Sequence, residues 1–169
     1  MSAAAKMQIT RNTLTPALRA AAARLRSTRP VVEAMCLAVL SISQRAFSQS
    51  ALRAAPWPNL SDGSAARLRR SGQLWKGLHV AGVGERSGLV GVNAIYGAVH
   101  QFGATIRPKS GKSLVFRLGG KTVFARKVTI PARPFLPFSV DGKLIPAAQR
   151  GVRAAIETKI RSLSGGAFK

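Results

Sequence analysis

Apolar residues recur at the three- and four-residue spacing of one helix face in two stretches of the chain. The first stretch runs from Pro30 to Gln49, and the second starts at Lys143. The first stripe consists of Val31, Met35, Val39, Ile42 and Ala46, and the second of Ile145, Ala148, Val152, Ile156, Ile160 and Leu163. The pattern predicts a long central core helix in the N-terminal half, and a C-terminal helix that stops at Gly165-Gly166.

Three shorter helices are predicted from composition and from helix end signals. Thr15–Arg26 is rich in alanine, leucine and arginine, which favour the helical conformation. Ala65–Leu78 has a similar composition and is interrupted at Ser71-Gly72. Ile95–Phe102 is followed by Gly103, and glycine is a common helix stop.

Short apolar and β-branched runs bounded by turn residues predict strands. Leu78–Val83 and Leu89–Val92 are separated by a polar turn and form the first predicted hairpin. Leu114–Leu118 and Lys121–Thr129 flank Gly119-Gly120, a strong two-residue turn signal, and form the second.

These elements predict an α+β fold: a small, mainly antiparallel β-sheet packed by the long N-terminal-half helix and the C-terminal helix. Ile130–Phe138 contains three prolines, which lack the ladder donor, so this segment is not expected to be a central strand. The 169 residues are predicted to form a single domain. Residues 1–12 are a candidate disordered segment, and residues 107–129 are expected to project as a basic hairpin.

The charge balance narrows the range of partners. The chain has 27 Lys and Arg against 5 Asp and Glu, a formal net charge of +22. Nucleic acid, an acidic protein surface and an anionic membrane surface all remain possible partners. The most apolar run, residues 31–40, is too short to span a bilayer and contains Glu33, and no signal peptide is apparent, so assembly in a cytoplasm is expected. The one cysteine, Cys36, is expected to be an inert core residue.

Residues for catalysis or metal binding are sparse. No two of the five acidic residues lie closer than 16 positions apart, and His79 and His100 have no cysteine or acid at a ligand spacing. No nucleophile elbow or phosphate-binding loop is present. The sequence therefore predicts a protein that is not an enzyme, with no cofactor and no metal.

Basic residues are spread along the chain, without a zinc-finger, basic-zipper or ribonucleoprotein motif. Such a surface favours contact with phosphates rather than with bases. The candidate residues that face DNA or a partner are Arg67, Arg69, Arg70, Arg107, Lys109, Lys112, Arg117, Lys121, Arg126 and Lys127.

Two pieces of the chain are more specific than its composition. Tyr96–Ala104 reads Tyr-Gly-Ala-Val-His-Gln-Phe-Gly-Ala, and Ile130–Leu136 reads Ile-Pro-Ala-Arg-Pro-Phe-Leu. With Trp57–Leu60, Ser71–Leu74 and Val90–Val92 upstream, this order resembles the phage virion morphogenesis family, the tail-completion or neck proteins of Mu-like tailed phages. The resemblance covers about residues 30–160. The motif residues are Trp57, Leu60, Gly72, Leu74, Tyr96, His100, Gln101, Phe102, Gly103, Pro131, Arg133, Pro134 and Phe135.

Two positions depart from the family pattern. Gly97 stands where alanine is usual, and Pro137 stands where a glycine is frequent. Both departures affect only the expected local turn.

The resemblance implies a structural protein of a tailed bacteriophage that acts in tail completion and head-to-tail joining. It would form a ring, with a hexamer expected, in the neck of the virion, as a connector, tail terminator or stopper. The implied partners are other copies, neighbouring neck and tail proteins on the portal-adaptor side and the tail-tube side, and double-stranded DNA in the channel, with no membrane. The alternative from charge is a non-specific nucleic-acid-binding protein, and a nuclease that uses Asp62, Glu85 or Asp141 is the least favoured hypothesis.

The motif residues have mechanical interpretations. Tyr96, Val99 and Phe102 are expected to bury one face of a short helix, while His100 and Gln101 hydrogen-bond a neighbouring loop or subunit. Trp57 and Phe135 are expected to act as anchors. Arg133 is expected to be either an internal brace or a subunit contact.

Overall fold

Two long helices carry much of the core. The computed structural model describes residues 27–139 and 141–164, in which helix α1 spans Arg29–Ala46 and the last helix, α4, spans Pro146–Leu163. Each begins at or next to a proline, whose fixed φ suits the first helical turn. Both predicted long helices are thus confirmed. The helix predicted at Thr15–Arg26, the candidate disorder at 1–12 and the stop at Gly165-Gly166 lie outside the described residues.

The predicted apolar stripes face each other between α1 and α4. Val39, Ile42 and Ala46 pack with Ala148 and Val152 in one buried cluster. Leu52, in a 3-10 turn at Ser50–Leu52, joins this cluster after the end of α1. Burial of these side chains stabilises the helix pair by roughly 1.5–3 kcal/mol for each large aliphatic residue.

The first hairpin packs on α1. Strands β1, Leu78–Val83, and β2, Gly88–Val92, pair antiparallel as predicted, with a bulge between Val80 and Gly82. A Cβ on Gly88 would collide with the sulfur of Cys36, so the strand approaches the helix at a glycine. Cys36 is buried as expected, and this burial raises the pKa of its thiol.

The turn of this hairpin caps the start of α1. Glu85 Oε2 accepts hydrogen bonds from the backbone N–H groups of Thr28 at 2.8 Å and Arg29 at 3.2 Å, and Ser27 Oγ donates to Oε1 at 2.9 Å. A carboxylate at this position also favours the positive end of the helix dipole. The bond from Ser27, with those from Thr28 and Arg29, holds the pKa of Glu85 below its ordinary value.

One predicted helix is wrong. Residues 65–72 are not helical, and only the single turn α2, Gln73–Lys76, forms in the segment Ala65–Leu78. This segment has helix-favouring residues but no apolar stripe to bury, and Gly72 adopts a left-handed φ of +74° directly before the turn. Propensity without a buried face is too weak to hold a helix.

The predicted single sheet is also wrong in its connectivity. The described strands form three separate two-stranded antiparallel sheets. Lys121–Thr129 is not one strand, because the pairing stops at Ala125 and resumes at Val128. The remaining strands are β3, Ala104–Ile106; β4, Leu114–Leu118; β5, Lys121–Ala125; and β6, Val128–Ile130.

Strands β3 and β6 pair at the base of a long segment, residues 107–127, which we call the excursion. Ala104 pairs with Ile130, and Ile106 pairs with Val128. Within the excursion β4 and β5 form the second predicted hairpin, and Gly119 and Gly120 both have positive φ, +58° and +81°, as its tight turn requires. The α+β class and both hairpins are confirmed, while a projecting basic finger stays a prediction.

Candidate functional site

Gln101 joins the two sequence motifs. It lies on helix α3, Gly97–Phe102, and its side chain is buried. Its Oε1 accepts hydrogen bonds from the backbone N–H of Phe135 at 3.1 Å and of Leu136 at 3.0 Å. The backbone N–H of Arg133 also donates to the carbonyl of His100 at 2.7 Å. The proline-rich segment, residues 130–138, therefore finds on α3 the acceptors for its backbone N–H groups that a neighbouring strand would otherwise provide.

Gly103 permits this close approach. It has a φ of +73°, and a Cβ at this position would lie 3.0 Å from both the amide nitrogen of Ala132 and the carbonyl oxygen of Ile130. Either constraint alone disfavours a side chain. The glycine of the motif thus ends α3 and lets the chain turn directly beside the proline-rich segment.

Phe135 is the centre of a second apolar cluster. Only 1% of it is exposed, and its ring lies 5.6 Å from that of Phe47, which in turn meets Trp57 edge-on at 5.9 Å. Leu74 and Leu78 complete the buried set. Trp57 Nε1 donates to the carbonyl of Pro134 at 2.8 Å, so the polar end of this buried side chain is satisfied.

Arg133 is an internal brace. Its guanidinium is buried and donates from Nε to the carbonyl of Pro58 at 3.0 Å and from Nη2 to the carbonyl of Asn59 at 3.1 Å. These bonds tie the Trp-Pro-Asn-Leu element to the proline-rich segment. Of the two interpretations left open by the sequence, the structure shows the internal one.

Another arginine, Arg53, lies over the ring of Trp57. The guanidinium carbon of Arg53 lies 3.8 Å from the ring centroid of Trp57, and Arg53 Nε donates to the carbonyl of Ala46 at 2.8 Å. The end of α1 is thereby fixed against the aromatic cluster.

His100 is half-buried and differs from the expectation. Its Nδ1 is buried, and within the described part of the chain this atom has no hydrogen-bond partner. The ring meets Tyr96 edge-on at 5.7 Å. Desolvation, followed by the charge of Arg133, lowers the pKa of His100. The expected hydrogen bond to a neighbouring loop is therefore absent within the described chain, a contact with a neighbouring subunit stays a prediction, and the lowered pKa favours the neutral imidazole.

This arrangement predicts a pH-dependent stability. Because the folded pKa of His100 is lowered, its contribution is fully present above the unfolded pKa of about 6.5 and is lost as pH falls below that value. We expect thermal unfolding scans between pH 8 and pH 5.5 to show a smaller loss of stability for His100→Gln than for the wild type. His79→Gln, which removes the other histidine, is the control. Equal pH slopes for His100→Gln and the wild type would contradict the assignment.

The expected burial of Tyr96, Val99 and Phe102 on one face of α3 is wrong, although Val99 is half-buried. Phe102 is 78% exposed and Tyr96 is also exposed, with its hydroxyl donating to Gln73 Oε1 at 3.3 Å. The helix has only six residues and buries Gly97 and Gln101 instead. A Cβ on Gly97 would lie 2.5 Å from Val92 Cγ1, which explains the glycine at this position.

The remaining motif residues divide by burial. Leu74 and Pro134 are buried, whereas Leu60 and Pro131 are exposed. Gly72 has a left-handed φ and precedes α2. The exposed positions do not contribute to the aromatic cluster, and no signal in the sequence separated them from the buried ones.

The basic candidates lie in two exposed groups. One group, Arg67, Arg69 and Arg70, is in the loop before α2, where the guanidinium carbon of Arg69 lies 4.8 Å from the ring centroid of Trp75. The other group follows the excursion closed by β3 and β6 and consists of Arg107, Lys109, Lys112, Arg117, Lys121, Arg126 and Lys127.

The acidic residues do not converge. Ser64 donates to Asp62 Oδ1 from its backbone at 2.9 Å and from its hydroxyl at 2.6 Å, which lowers the pKa of Asp62. Glu85 caps α1. Across residues 27–139 and 141–164, no group of three or more His, Cys, Asp or Glu side chains is placed to hold a metal ion. No helix in that same part of the chain is long and apolar enough to cross a membrane.

The buried motif residues thus hold separate segments of the chain together through hydrogen bonds to the backbone and aromatic packing. The phage virion morphogenesis family matches residues 9–145, and the chain belongs to this family. It is accordingly a bacteriophage protein with a role in virion morphogenesis. The match begins before the predicted limit of about residue 30 and ends before α4. No match is found among curated proteins or among solved structures.

Proposed function

We propose that this protein completes the tail and joins it to the head in a Mu-like tailed phage, as a ring of copies in the neck around the DNA channel. It acts there as a structural part and not as an enzyme. Family membership supports the role in the virion. The position at the DNA channel is supported by the excess of positive charge, which the acidic residues of the chain do not neutralise.

The carboxylates are too few and largely engaged. Against 27 Lys and Arg the chain has 5 Asp and Glu. Asp62 and Glu85 accept hydrogen bonds from hydroxyl and backbone groups. In the described residues the single Lys or Arg ion pair with a carboxylate joins Arg153 Nε to Glu157 Oε1 at 3.5 Å, on an exposed helix face. The remaining positive charge is available to an external polyanion or to acidic neighbours.

Two measurements on the purified protein, its molar mass and its appearance in electron micrographs, test the ring. Light scattering and electron microscopy of the same nuclease-treated sample at high salt are expected to show closed rings with a central hole. A monomer that remains a monomer in the presence of purified heads or tails would contradict the ring.

Non-specific nucleic-acid binding is the second candidate, favoured by the same charge. It predicts tight binding of DNA or RNA of any sequence by a monomer or dimer, with no effect of the protein on joining of heads to tails. Joining activity of the purified protein in a mixture of heads and tails would decide for the first candidate.

The basic excursion supplies the charge-specific prediction. Replacing Arg117, Lys121 and Arg126 together by glutamine is expected to leave folding unchanged, because all three are exposed. The affinity for duplex DNA should fall, and the slope of log K against log salt should become shallower by about 0.9 for each lost phosphate contact. Fluorescence anisotropy of a labelled duplex across a salt series measures both quantities.

A matched triple separates local from general charge. Lys143, Arg150 and Arg161 are also exposed, and their replacement by glutamine removes the same charge away from the excursion. Equal losses for the two triples would show that total charge, and not the excursion, sets the affinity. Unchanged binding of the first triple at every salt concentration would exclude the excursion as a DNA contact.

A further inference from the structure

The two faces of the β4–β5 hairpin differ in exposure. Val115 lies directly opposite Phe124, and Arg117 lies opposite Thr122. Alternation along the strands places these four side chains on one face. All four are exposed, with Val115 at 60% and Phe124 at 69%. We call this set the exposed hairpin face.

The opposite face is more covered. Leu114, Val123 and Ala125 are half-buried and Phe116 is 36% exposed, whereas Leu118 and Lys121, beside the Gly119-Gly120 turn, are exposed. A two-stranded hairpin is only marginally stable in water without a covered apolar face. The cross-strand pair of Val115 and Phe124 is more than half exposed and forms a contiguous apolar patch, and such patches are typical of interaction sites.

The charge around this face selects the partner. Between Glu85 and Asp141 the chain contains no acidic residue, and the excursion from Arg107 to Lys127 holds seven basic residues. The same face of a second copy carries the same basic residues and no acidic residue between Glu85 and Asp141, so it offers no carboxylate to Arg117. Duplex DNA would match the charge, but its phosphates offer no apolar surface to Val115 and Phe124. A protein surface with an apolar centre and carboxylates at its rim matches both features.

We propose that the exposed hairpin face docks on an acidic, partly apolar surface of a different virion protein. Val115 and Phe124 supply the buried centre of the contact, and Arg117 with the neighbouring lysines supplies the charged rim. The proposal rests on the proposed function only for the choice of probe, and it goes beyond it by naming the docking face and the chemistry of the partner.

The test uses heads and tails purified from particles of the same phage made without this protein. Co-sedimentation of the full chain with each is expected to show binding to one of them that weakens as NaCl rises. The double variant Val115→Ser, Phe124→Ser should lose at least about tenfold in affinity, a loss typical of truncation at the centre of an interface. Arg117→Gln should bind more weakly and with a shallower salt dependence.

The opposite face gives the matched control. Phe116→Ser with Leu118→Ser removes similar apolar area from the other face of the same hairpin and should change affinity less than the Val115 and Phe124 pair. Circular dichroism at the assay temperature establishes that both double variants are folded. If the Val115 and Phe124 variant does not fold, Phe124→Gln alone replaces it, and if the control does not fold, Leu118→Ser alone replaces it.

Each remaining result overturns the proposal in a distinguishable way. Equal binding by the wild type and the Val115 and Phe124 variant overturns the docking face and leaves the proposed function intact. Loss of self-association or of duplex binding by that variant, with particle binding unchanged, assigns the face to a second copy or to DNA. Binding that does not weaken with NaCl overturns the acidic partner. Binding of the wild type to neither particle overturns the proposed function and the docking face together.

Discussion

Replacing Phe135 by alanine is expected to lower the free energy of unfolding by about 3–5 kcal/mol. Phe135 is 1% exposed and contacts the ring of Phe47 in the aromatic cluster, so the substitution removes buried apolar area and leaves a cavity beside that ring. The position is also held by its own backbone N–H, which donates to Gln101, so the chain cannot move inward easily to fill the space. Chemical denaturation followed by Trp fluorescence measures the loss.

The size of this loss needs a control of the same type. Phe102→Ala removes the same side chain from a position that is 78% exposed, and its effect should stay within about 0.5 kcal/mol. The loss expected for Phe135→Ala is a large share of the free energy of unfolding of a typical domain, which is about 5–15 kcal/mol. Phe135→Leu, with an intermediate expected loss, keeps the comparison measurable if the alanine variant is unfolded. Similar small losses for Phe135→Ala and Phe102→Ala would contradict an anchoring role.

Gln101→Met is expected to have the second largest effect. Methionine has nearly the same length but offers no carbonyl oxygen, so the backbone N–H groups of Phe135 and Leu136 lose their acceptor. An unsatisfied buried donor costs about 1–3 kcal/mol, and two donors are affected. Chemical denaturation measures the loss, and hydrogen exchange should show faster exchange at these two amides.

Gln149→Met is the matched control for this substitution. Gln149 is also on a helix, and its Nε2 donates to the carbonyl of Leu144 at 2.7 Å, but the site is exposed and water replaces the lost bond. Its effect should stay within about 0.5 kcal/mol. If Gln101→Met were as mild as Gln149→Met, the link between the two motifs would not depend on this side chain.

Helices with a buried stripe were predictable from the sequence. The repeats of Val39 and Ile42 in α1 and of Ala148 and Val152 in α4 identify both the element and the face that it buries. Ala65–Leu78 offered the same favourable composition without such a stripe, and the chain there forms only one helical turn. Periodicity reports burial, whereas composition reports only a weak local preference.

Strand pairing across long distances was not predictable. The Gly119-Gly120 turn identifies its own hairpin, because the two strands are adjacent in the sequence. Val128–Ile130 pairs with Ala104–Ile106, and nothing in either short segment specifies the other. The break after Ala125 follows from that pairing and has no local signal.

The candidate site was predictable as a set of residues but not in its arrangement. The two motifs are recognisable in the sequence, and the anchoring of Phe135 follows from its prolines and its aromatic ring. The spacing of Tyr96 and Phe102 suggested a buried face, but α3 is too short to present one, and Gln101 is buried instead. That Gln101 accepts hydrogen bonds from two amides 34 and 35 residues away depends on the tertiary fold.

The closure of the excursion by β3 and β6 has a consequence for how this protein can diverge. Ala104 and Ile130 are paired, and so are Ile106 and Val128, so the two ends of the excursion, residues 107–127, lie close together. The entropic cost of lengthening such a loop rises only slowly with its length. Insertions and deletions in this segment are therefore expected to leave the contact between Gln101 and Phe135 intact. If this segment carries the partner contact, as we propose, a change of partner does not require a change of fold.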